Sequence, residues 1–129
     1  MNETSIVSEN EHQVSIDPFF LKEAGGIVSF LKDKQSNQRN LCCANFHLFW
    51  DPRQPEIKLK QINHGLLVVK NLMKNWSEKF RVPMDDIGLI ICGDFNSGTI
   101  KFLFYGFSFF FIKLKFGNPK FIQIIIINP

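Results

Sequence analysis

Two short polar clusters carry the side chains that could do chemistry. Asn45 and His47 are two residues apart near the end of a predicted strand, so both side chains face the same side. Asp94 and Asn96 follow a second apolar run with the same spacing. Polar side chains placed where buried strands end are a common way for α/β proteins to build sites. A carboxylate, a carboxamide and an imidazole could together hold a phosphate, a hard cation and an attacking water.

The same residues also have structural interpretations. An isolated histidine such as His47 is more often a structural residue, and Gly-Asp is a common turn dipeptide. A zinc site is not expected, because Cys42 and Cys43 are adjacent and point to opposite strand faces, and the chain has no C-x-x-C pair. Glycine-rich phosphate loops and the G-x-S-x-G elbow do not occur in the sequence. The residues alone are therefore compatible with both the catalytic and the structural interpretation.

The elements that must position these clusters follow the order strand, strand, helix, strand. Apolar runs at 27–31 and 41–50, separated by a polar loop at 32–40, predict an antiparallel pair. Apolar residues spaced alternately by four and three from Ile62 to Phe80 predict an amphipathic helix that begins near Glu56. The run at 87–92 is typical of a buried strand. His64 is expected on the helix surface, and the helix lysines are expected to form a solvated face: Lys58, Lys60, Lys70 and Lys74.

Length and composition indicate one globular domain. The chain has 129 residues, of which 45% are apolar and 21% charged. These values exclude collagen-like, wholly disordered and disulfide-scaffold classes. Three cysteines, two of them adjacent, predict reduced thiols and an intracellular location. The polar, acidic first residues predict no secretory signal peptide.

The last 29 residues differ in composition from the rest of the chain. They hold four lysines and no acidic residue, so the formal net charge of +3 comes from this segment and is no argument for nucleic-acid binding. Their eight phenylalanines and six isoleucines resemble translated A/T-rich non-coding DNA more than a folded element. A hydrophobic anchor is the alternative, but the apolar stretch from Phe102 to Ile112 is shorter than the roughly 20 residues that span a bilayer. We expect this tail to pack little against the preceding unit, or to occupy its open edges.

The run LCCANFHLFWDPRQPEIKLKQ, followed after the helix by LIICGDFNS, resembles the endonuclease/exonuclease/phosphatase superfamily. The resemblance is to the branch that holds the carbon-catabolite-repressor-type deadenylases, nocturnin, Angel and the 2',5'-phosphodiesterases. It covers residues 20–97, with Phe46 where the family usually has threonine. The domain assignment is therefore a polar leader at 1–19, a partial nuclease domain at 20–97 and a low-complexity tail at 98–129. The matching positions are Asn45, His47, Trp50, Asp51, Pro52, Lys58, Leu59, Gln61 and Gly93 to Ser97.

The resemblance implies an α/β fold: a β–β–α–β fragment of a four-layered α/β/β/α sandwich. It implies magnesium-dependent hydrolysis of RNA by a 3'-exoribonuclease of the poly(A)-deadenylase type. Mg²⁺ would be the cofactor, RNA (poly(A)) the substrate and deadenylase-complex subunits possible partners. No membrane is expected, and the location would be the cytoplasm, the nucleus or both.

The resemblance also implies a role for each matching site residue. Asp94 would orient or deprotonate the attacking water, and Asn96 would fix Asp94 and the scissile phosphate. His47 would hydrogen-bond the phosphate oxygens, with Asn45 supporting it from the same strand. Pro52 would lie against a substrate base.

Two family motifs have no counterpart in this sequence. The metal-binding glutamate of a Leu-Gln-Glu motif and the later Ser-Asp-His motif do not occur, so the metal ligands stay unknown. The chain is therefore expected to be an internal slice with about half of the catalytic set, and inactive by itself. The alternative is a catalytically dead remnant or binding fragment. A weaker alternative is another phosphodiesterase or phosphatase of the superfamily, acting on a phosphoinositide, an abasic DNA site or a 2',5'-linked oligoadenylate.

Overall fold

The computed structural model describes residues 6–14, 24–33, 40–96 and 122–127. These residues form one sheet with the strand order β1-β2-β3-β4-β5. No helix among the described residues is long and apolar enough to cross a membrane. The elements are β1 (Ile6–Val14), β2 (Gly25–Asp33), β3 (Asn40–His47), α1 (Pro55–Phe80), a 3-10 turn (Met84–Asp86), β4 (Ile87–Asp94) and β5 (Ile122–Ile127).

The sheet is mixed. β2 pairs antiparallel with both β1 and β3, whereas β4 pairs parallel with β3 and with β5. The parallel β3–β4 pair needs a crossover connection, which α1 supplies. The order β2, β3, α1, β4 confirms the predicted α/β unit. β3 ends at His47, so the predicted strand over 41–50 was too long by three residues.

Helix α1 buries its apolar stripe against one face of the sheet. Proline at its first position suits a helix start, and Arg81 ends it in the left-handed region with a φ of 54°. The ring of Trp76 stacks on Phe30 of β2 at a centroid distance of 5.1 Å. Burying each large apolar side chain contributes about 1.5–3 kcal/mol. The buried stripe is Ile62, Leu66, Val69, Met73 and Trp76, which confirms the predicted periodicity.

One lysine corrects the prediction of a solvated helix face. Lys60 and Lys74 are exposed and Lys70 is half-buried, but Lys58 is only 3% exposed. Lys58 is buried because it lies in the first turn of α1, where the helix passes the ends of the strands rather than open solvent. His64 is exposed, as predicted.

Two strands lie outside residues 20–97. β1 falls in the segment assigned as a polar leader, where no strand was predicted, and it pairs with β2 from Ile6↔Asp33 to Val14↔Gly26. β5 falls in the tail and lies along β4, from Leu89↔Ile122 to Asp94↔Ile127. β5 thus lies beside β4, one of the two placements expected for tail residues. The apolar stretch at 102–112 and loop residues 34–39 lie outside the described residues.

Candidate active site at the ends of two parallel strands

The strand register brings His47 beside Asp94. The two residues are direct partners at the end of the β3–β4 ladder, and Asn45 is the partner of Cys92. Because neighbouring strands lie about 4.8 Å apart, His47 and Asp94 are adjacent at the carboxyl edge of the sheet. Buried Phe46 separates the exposed Asn45 and His47, which therefore face away from α1. Side chains also alternate between the two sheet faces along β4. Leu89 and Ile91 face the helix, and half-buried Asp94 lies on the opposite face.

Gly93 allows the two strands to approach at this point. Its φ is +142°, a conformation that L side chains rarely adopt. A Cβ at this position would lie 1.9 Å from the carbonyl oxygen of Phe46. Because that atom belongs to the backbone, only glycine fits without separating the strands. The glycine before Asp94 therefore holds the carboxylate next to β3, beyond the turn role suggested by the sequence.

A tight turn after β4 orients the Asp94 carboxylate. The backbone N–H of Asn96 donates to Asp94 Oδ1 at 2.9 Å. Asn96 has a φ of 46°, a left-handed conformation that asparagine tolerates better than most residues. Its side-chain Nδ2 donates to the carbonyl oxygen of Leu48 at 2.9 Å, and the Leu48 N–H donates to the Asp94 carbonyl oxygen at 3.0 Å. Asn96 therefore fixes Asp94 through its main chain, while its side chain ties the two strand ends together.

Two buried polar side chains of α1 form hydrogen bonds to the segments that follow β3 and β4. Gln61 Oε1 accepts a hydrogen bond from the Phe49 N–H at 2.9 Å, and Lys58 Nζ donates to the Asn96 carbonyl oxygen. Burial lowers the pKa of Lys58, whereas the negative charges of Asp51 and Asp94 act to raise it. Lys58 and Gln61 were expected only as matches to the family, as the ends of the run Lys58-Leu59-Lys60-Gln61, and not as positioning residues. Their spacing of three residues places them on one face of the helix.

The segment between β3 and α1 is ordered by Asp51. Asp51 is 3% exposed, and its carboxylate accepts hydrogen bonds from the Arg53 backbone N–H at 2.9 Å and, through both oxygens, from the Arg53 guanidinium at 3.0 Å. Gln54 Nε2 donates a further hydrogen bond at 3.1 Å. The hydrogen bonds from Arg53 hold the pKa of Asp51 well below its usual range. Pro52 lies exposed within this turn, on the segment that leads away from His47.

The described residues do not by themselves fit a magnesium site. They contain no group of three or more His, Cys, Asp or Glu side chains that could hold a metal ion. One oxygen of Asp94 already accepts a hydrogen bond, and both oxygens of Asp51 are engaged by its own turn. Cys43 and Cys92 lie on the same side of the sheet as Asn45, but burial raises the pKa of both thiols, which disfavours the thiolate form that binds metal.

Comparison with known proteins identifies relatives for part of the chain. No family model matches. The chain is 28% identical over 80 residues to the CCR4-Not complex 3'-5'-exoribonuclease subunit Ccr4 of Candida albicans, a match that covers 61% of this chain and 10% of the relative. It is 29% identical over 102 residues to carbon catabolite repressor protein 4 homolog 3 of Arabidopsis thaliana, covering 78% of this chain and 20% of the relative. A third match, to mouse 2',5'-phosphodiesterase 12, is 30% identical over 70 residues and covers 54% and 10%. The matched part of the chain is therefore at most about a fifth of these relatives' length.

Solved structures share the fold. The human nocturnin catalytic domain with bound sulfate matches with a TM-score of 0.50 and 23% identity, covering 73% of this chain and 32% of that domain. ANGEL2, a 2',3'-cyclic phosphatase, matches with a TM-score of 0.53 and 21% identity, covering 80% and 30%. The resemblance seen in the sequence is thus confirmed, and family resemblance supports a hydrolase. The chain is a partial domain that resembles the endonuclease/exonuclease/phosphatase superfamily, and Ccr4, nocturnin, Angel and 2',5'-phosphodiesterase proteins are the proteins it is similar to.

Proposed function

We propose that this chain carries half of the catalytic centre of a magnesium-dependent 3'-exoribonuclease of the poly(A)-deadenylase type. The observation that carries the proposal is the in-register pairing of His47 with Asp94, with Asn45 on the same exposed side. The kinship with Ccr4 exoribonuclease subunits supports RNA as the substrate class. Because Ccr4 is named as a subunit of the CCR4-Not complex, subunits of a deadenylase complex are the partners we propose, in the cytoplasm or nucleus.

In this proposal the strand-end residues act on water, phosphate and base. Asp94, held by the Asn96 N–H, orients the attacking water and accepts its proton. The water oxygen forms a new bond to phosphorus, the bond to the leaving 3' oxygen breaks, and that oxygen takes a proton from solvent. His47 hydrogen-bonds the phosphate oxygens with Asn45 beside it, and Pro52 lies against the base. Asn96 also contacts the scissile phosphate.

Magnesium enters the proposal only through the family resemblance. A divalent cation would offset phosphate charge during hydrolysis. Asp94 is the site carboxylate of this chain, and the described residues do not complete a cation site around it. Full activity therefore requires ligands beyond those that the structure describes.

Two other functions have specific support. The incomplete cation set among the described residues favours a fragment that binds RNA without cleaving it. The structural likeness to ANGEL2, a 2',3'-cyclic phosphatase, favours a different phosphate ester within the same superfamily. Both alternatives keep His47 and Asp94 as phosphate-site residues. The first differs from the main proposal because it cleaves no RNA, and the second differs in its substrate.

The test transplants residues 40–96 into the matching segment of the Candida albicans Ccr4 subunit. We expect the chimera to shorten poly(A) RNA with Mg²⁺, and Asp94→Ala or His47→Ala to reduce the rate by about 10²- to 10⁴-fold. Lys74→Ala is the matched control, because Lys74 is exposed on α1 far along the helix from the strand ends. A folded chimera that is inactive, or whose activity survives Asp94→Ala, would contradict the proposal.

The unmodified 129-residue chain provides a second arm. We expect no measurable poly(A) shortening from it, because the missing metal ligands are worth several kcal/mol of transition-state stabilisation, or roughly 10³-fold or more in rate. Robust magnesium-dependent activity of the chain alone, abolished by Asp94→Ala, would show that its catalytic centre is complete.

A further inference from the structure

We propose that Trp50 is a stacking platform for an unpaired nucleobase next to the proposed cleavage site. The inference deepens the proposed function and rests on it only for the choice of RNA as ligand. Trp50 is 56% exposed, whereas Trp76, the other tryptophan of the chain, is 4% exposed and packed in the core. A single exposed aromatic residue is unremarkable by itself. Trp50, however, lies in a backbone segment that is anchored on both sides, and it is close in the sequence to His47.

The backbone on both sides of Trp50 is anchored. Before it, the Leu48 N–H donates to the Asp94 carbonyl oxygen at 3.0 Å, and the Phe49 N–H donates to buried Gln61 at 2.9 Å. After it, Asp51 is buried by its own hydrogen-bonded turn. The Phe49 ring lies 5.9 Å from the Trp50 ring at an angle of 47°. Because the backbone is anchored and the Phe49 ring lies beside the indole, little backbone ordering is needed when a ligand binds, which lowers the entropic cost of contact.

Trp50 is also close to the proposed site. It follows His47 by three residues, so the two Cα atoms are at most about 11 Å apart. His47, Trp50 and Pro52 are all exposed along this short segment. An RNA strand with a phosphate at His47 could therefore place a neighbouring base on Trp50.

The residues that follow Trp50 in the sequence offer exposed flat groups, which suit a base better than a phosphate. The Arg53 side chain is 81% exposed, and its guanidinium plane is fixed by bidentate hydrogen bonds to Asp51. Because Asp51 balances its charge, Arg53 presents a neutralised flat surface rather than a free cation. Pro52, which lies between Trp50 and Arg53 in the sequence, adds an exposed rigid ring. Such surfaces bind bases by stacking, which requires an unpaired base with an accessible face.

The test measures binding of a labelled oligoadenylate about six nucleotides long to the full chain by fluorescence anisotropy. We expect Trp50→Ala to weaken binding by about 5- to 150-fold, the usual range for one stacked base, and Trp50→Phe to stay within about threefold. Leu67→Ala is the matched control, because Leu67 is a 41% exposed apolar residue on α1, and it should leave binding unchanged. Near-ultraviolet circular dichroism of the stacked Phe30–Trp76 pair checks the fold of each variant.

Competitors identify what is recognised. Adenosine monophosphate should compete and should quench the tryptophan emission of the wild type, but not that of Trp50→Phe. Blunt double-stranded RNA should compete poorly, because its bases have no free face. The proposal is overturned if the chain does not bind the oligoadenylate, or if Trp50→Ala binds like the wild type. Equal weakening by Leu67→Ala, or equal binding of the duplex, would overturn it as well.

Failure of this proposal can be told apart from failure of the proposed function. A chain that binds oligoadenylate through Trp50, but whose chimera never cleaves RNA, keeps the stacking platform and loses the exoribonuclease. A chimera that cleaves RNA through Asp94, with binding unaffected by Trp50→Ala, keeps the enzyme and loses the platform.

Discussion

Replacing Gly93 by alanine should separate the two strands that carry the candidate site. The new Cβ would lie 1.9 Å from the Phe46 carbonyl oxygen, 2.7 Å from its nitrogen and 2.8 Å from its carbonyl carbon. All three atoms are backbone, so no rotamer change relieves the overlap. A residue with a side chain at this φ of +142° costs about 1–3 kcal/mol in strain. Withdrawing β4 from β3 also breaks ladder hydrogen bonds worth about 1 kcal/mol each. We expect a loss of about 3 kcal/mol or more in the free energy of unfolding.

Urea denaturation of the full chain measures this loss. Gly25→Ala is the control, because a Cβ at Gly25 meets nothing within 4 Å and its φ lies outside the range that excludes side chains. We expect the control to change stability by no more than about 1 kcal/mol. Hydrogen exchange should also show the Phe46 to His47 amides losing protection in Gly93→Ala alone. The reasoning fails if Gly93→Ala unfolds within about 1 kcal/mol of the wild type, since the strands would then not need to approach so closely.

Two further predictions concern the buried charges near the site. Lys58→Met should lower the free energy of unfolding by about 2 kcal/mol, because it leaves the Asn96 carbonyl oxygen without its charged donor. Lys74→Met, which removes an exposed helix lysine, should change it by less than about 0.5 kcal/mol, and equal effects in urea titrations would contradict the buried role. The pKa of Asp51 is lowered in the folded chain, so its contribution is present above about pH 4 and lost as the pH falls below that value. Asp51→Asn should therefore flatten the fall of the urea midpoint in acid, and an unchanged acid profile would contradict this.

The sequence correctly predicted the elements in which apolar residues recur at a regular spacing. The helix was found because its apolar residues alternate by four and three, and that stripe is buried. β1 was missed because IVSENEHQV has little apolar content, and its place depends on pairing with β2. Composition set the tail apart, yet the run at 122–127 forms a strand along β4. In both cases a partner strand decides the structure, and the local residues do not reveal it.

The sequence predicted which residues form the candidate site better than it predicted how they are arranged. Strand ends placed Asn45, His47 and Asp94 at comparable positions, but the register that makes His47 the partner of Asp94 depends on the crossover through α1. Asn96 was expected to fix Asp94 and the scissile phosphate. Its backbone N–H donates to Asp94 Oδ1, and its side chain donates to the Leu48 carbonyl oxygen, a partner 48 residues away that the sequence alone does not indicate.

The helical periodicity indicates that Lys58 is buried, whereas its charge suggests that it is exposed. It lies four residues before Ile62, the first member of the apolar stripe, and therefore on the buried face of α1. Its charge led to the prediction of solvent exposure, although a lysine at a core position must find a polar partner there. The crossover topology supplies one, because the start of α1 lies beside the ends of β3 and β4, where the Asn96 carbonyl oxygen is available. A charged residue that extends an apolar stripe by one turn, here before its first apolar member, therefore indicates a buried polar contact, and in this chain that contact underlies the candidate site.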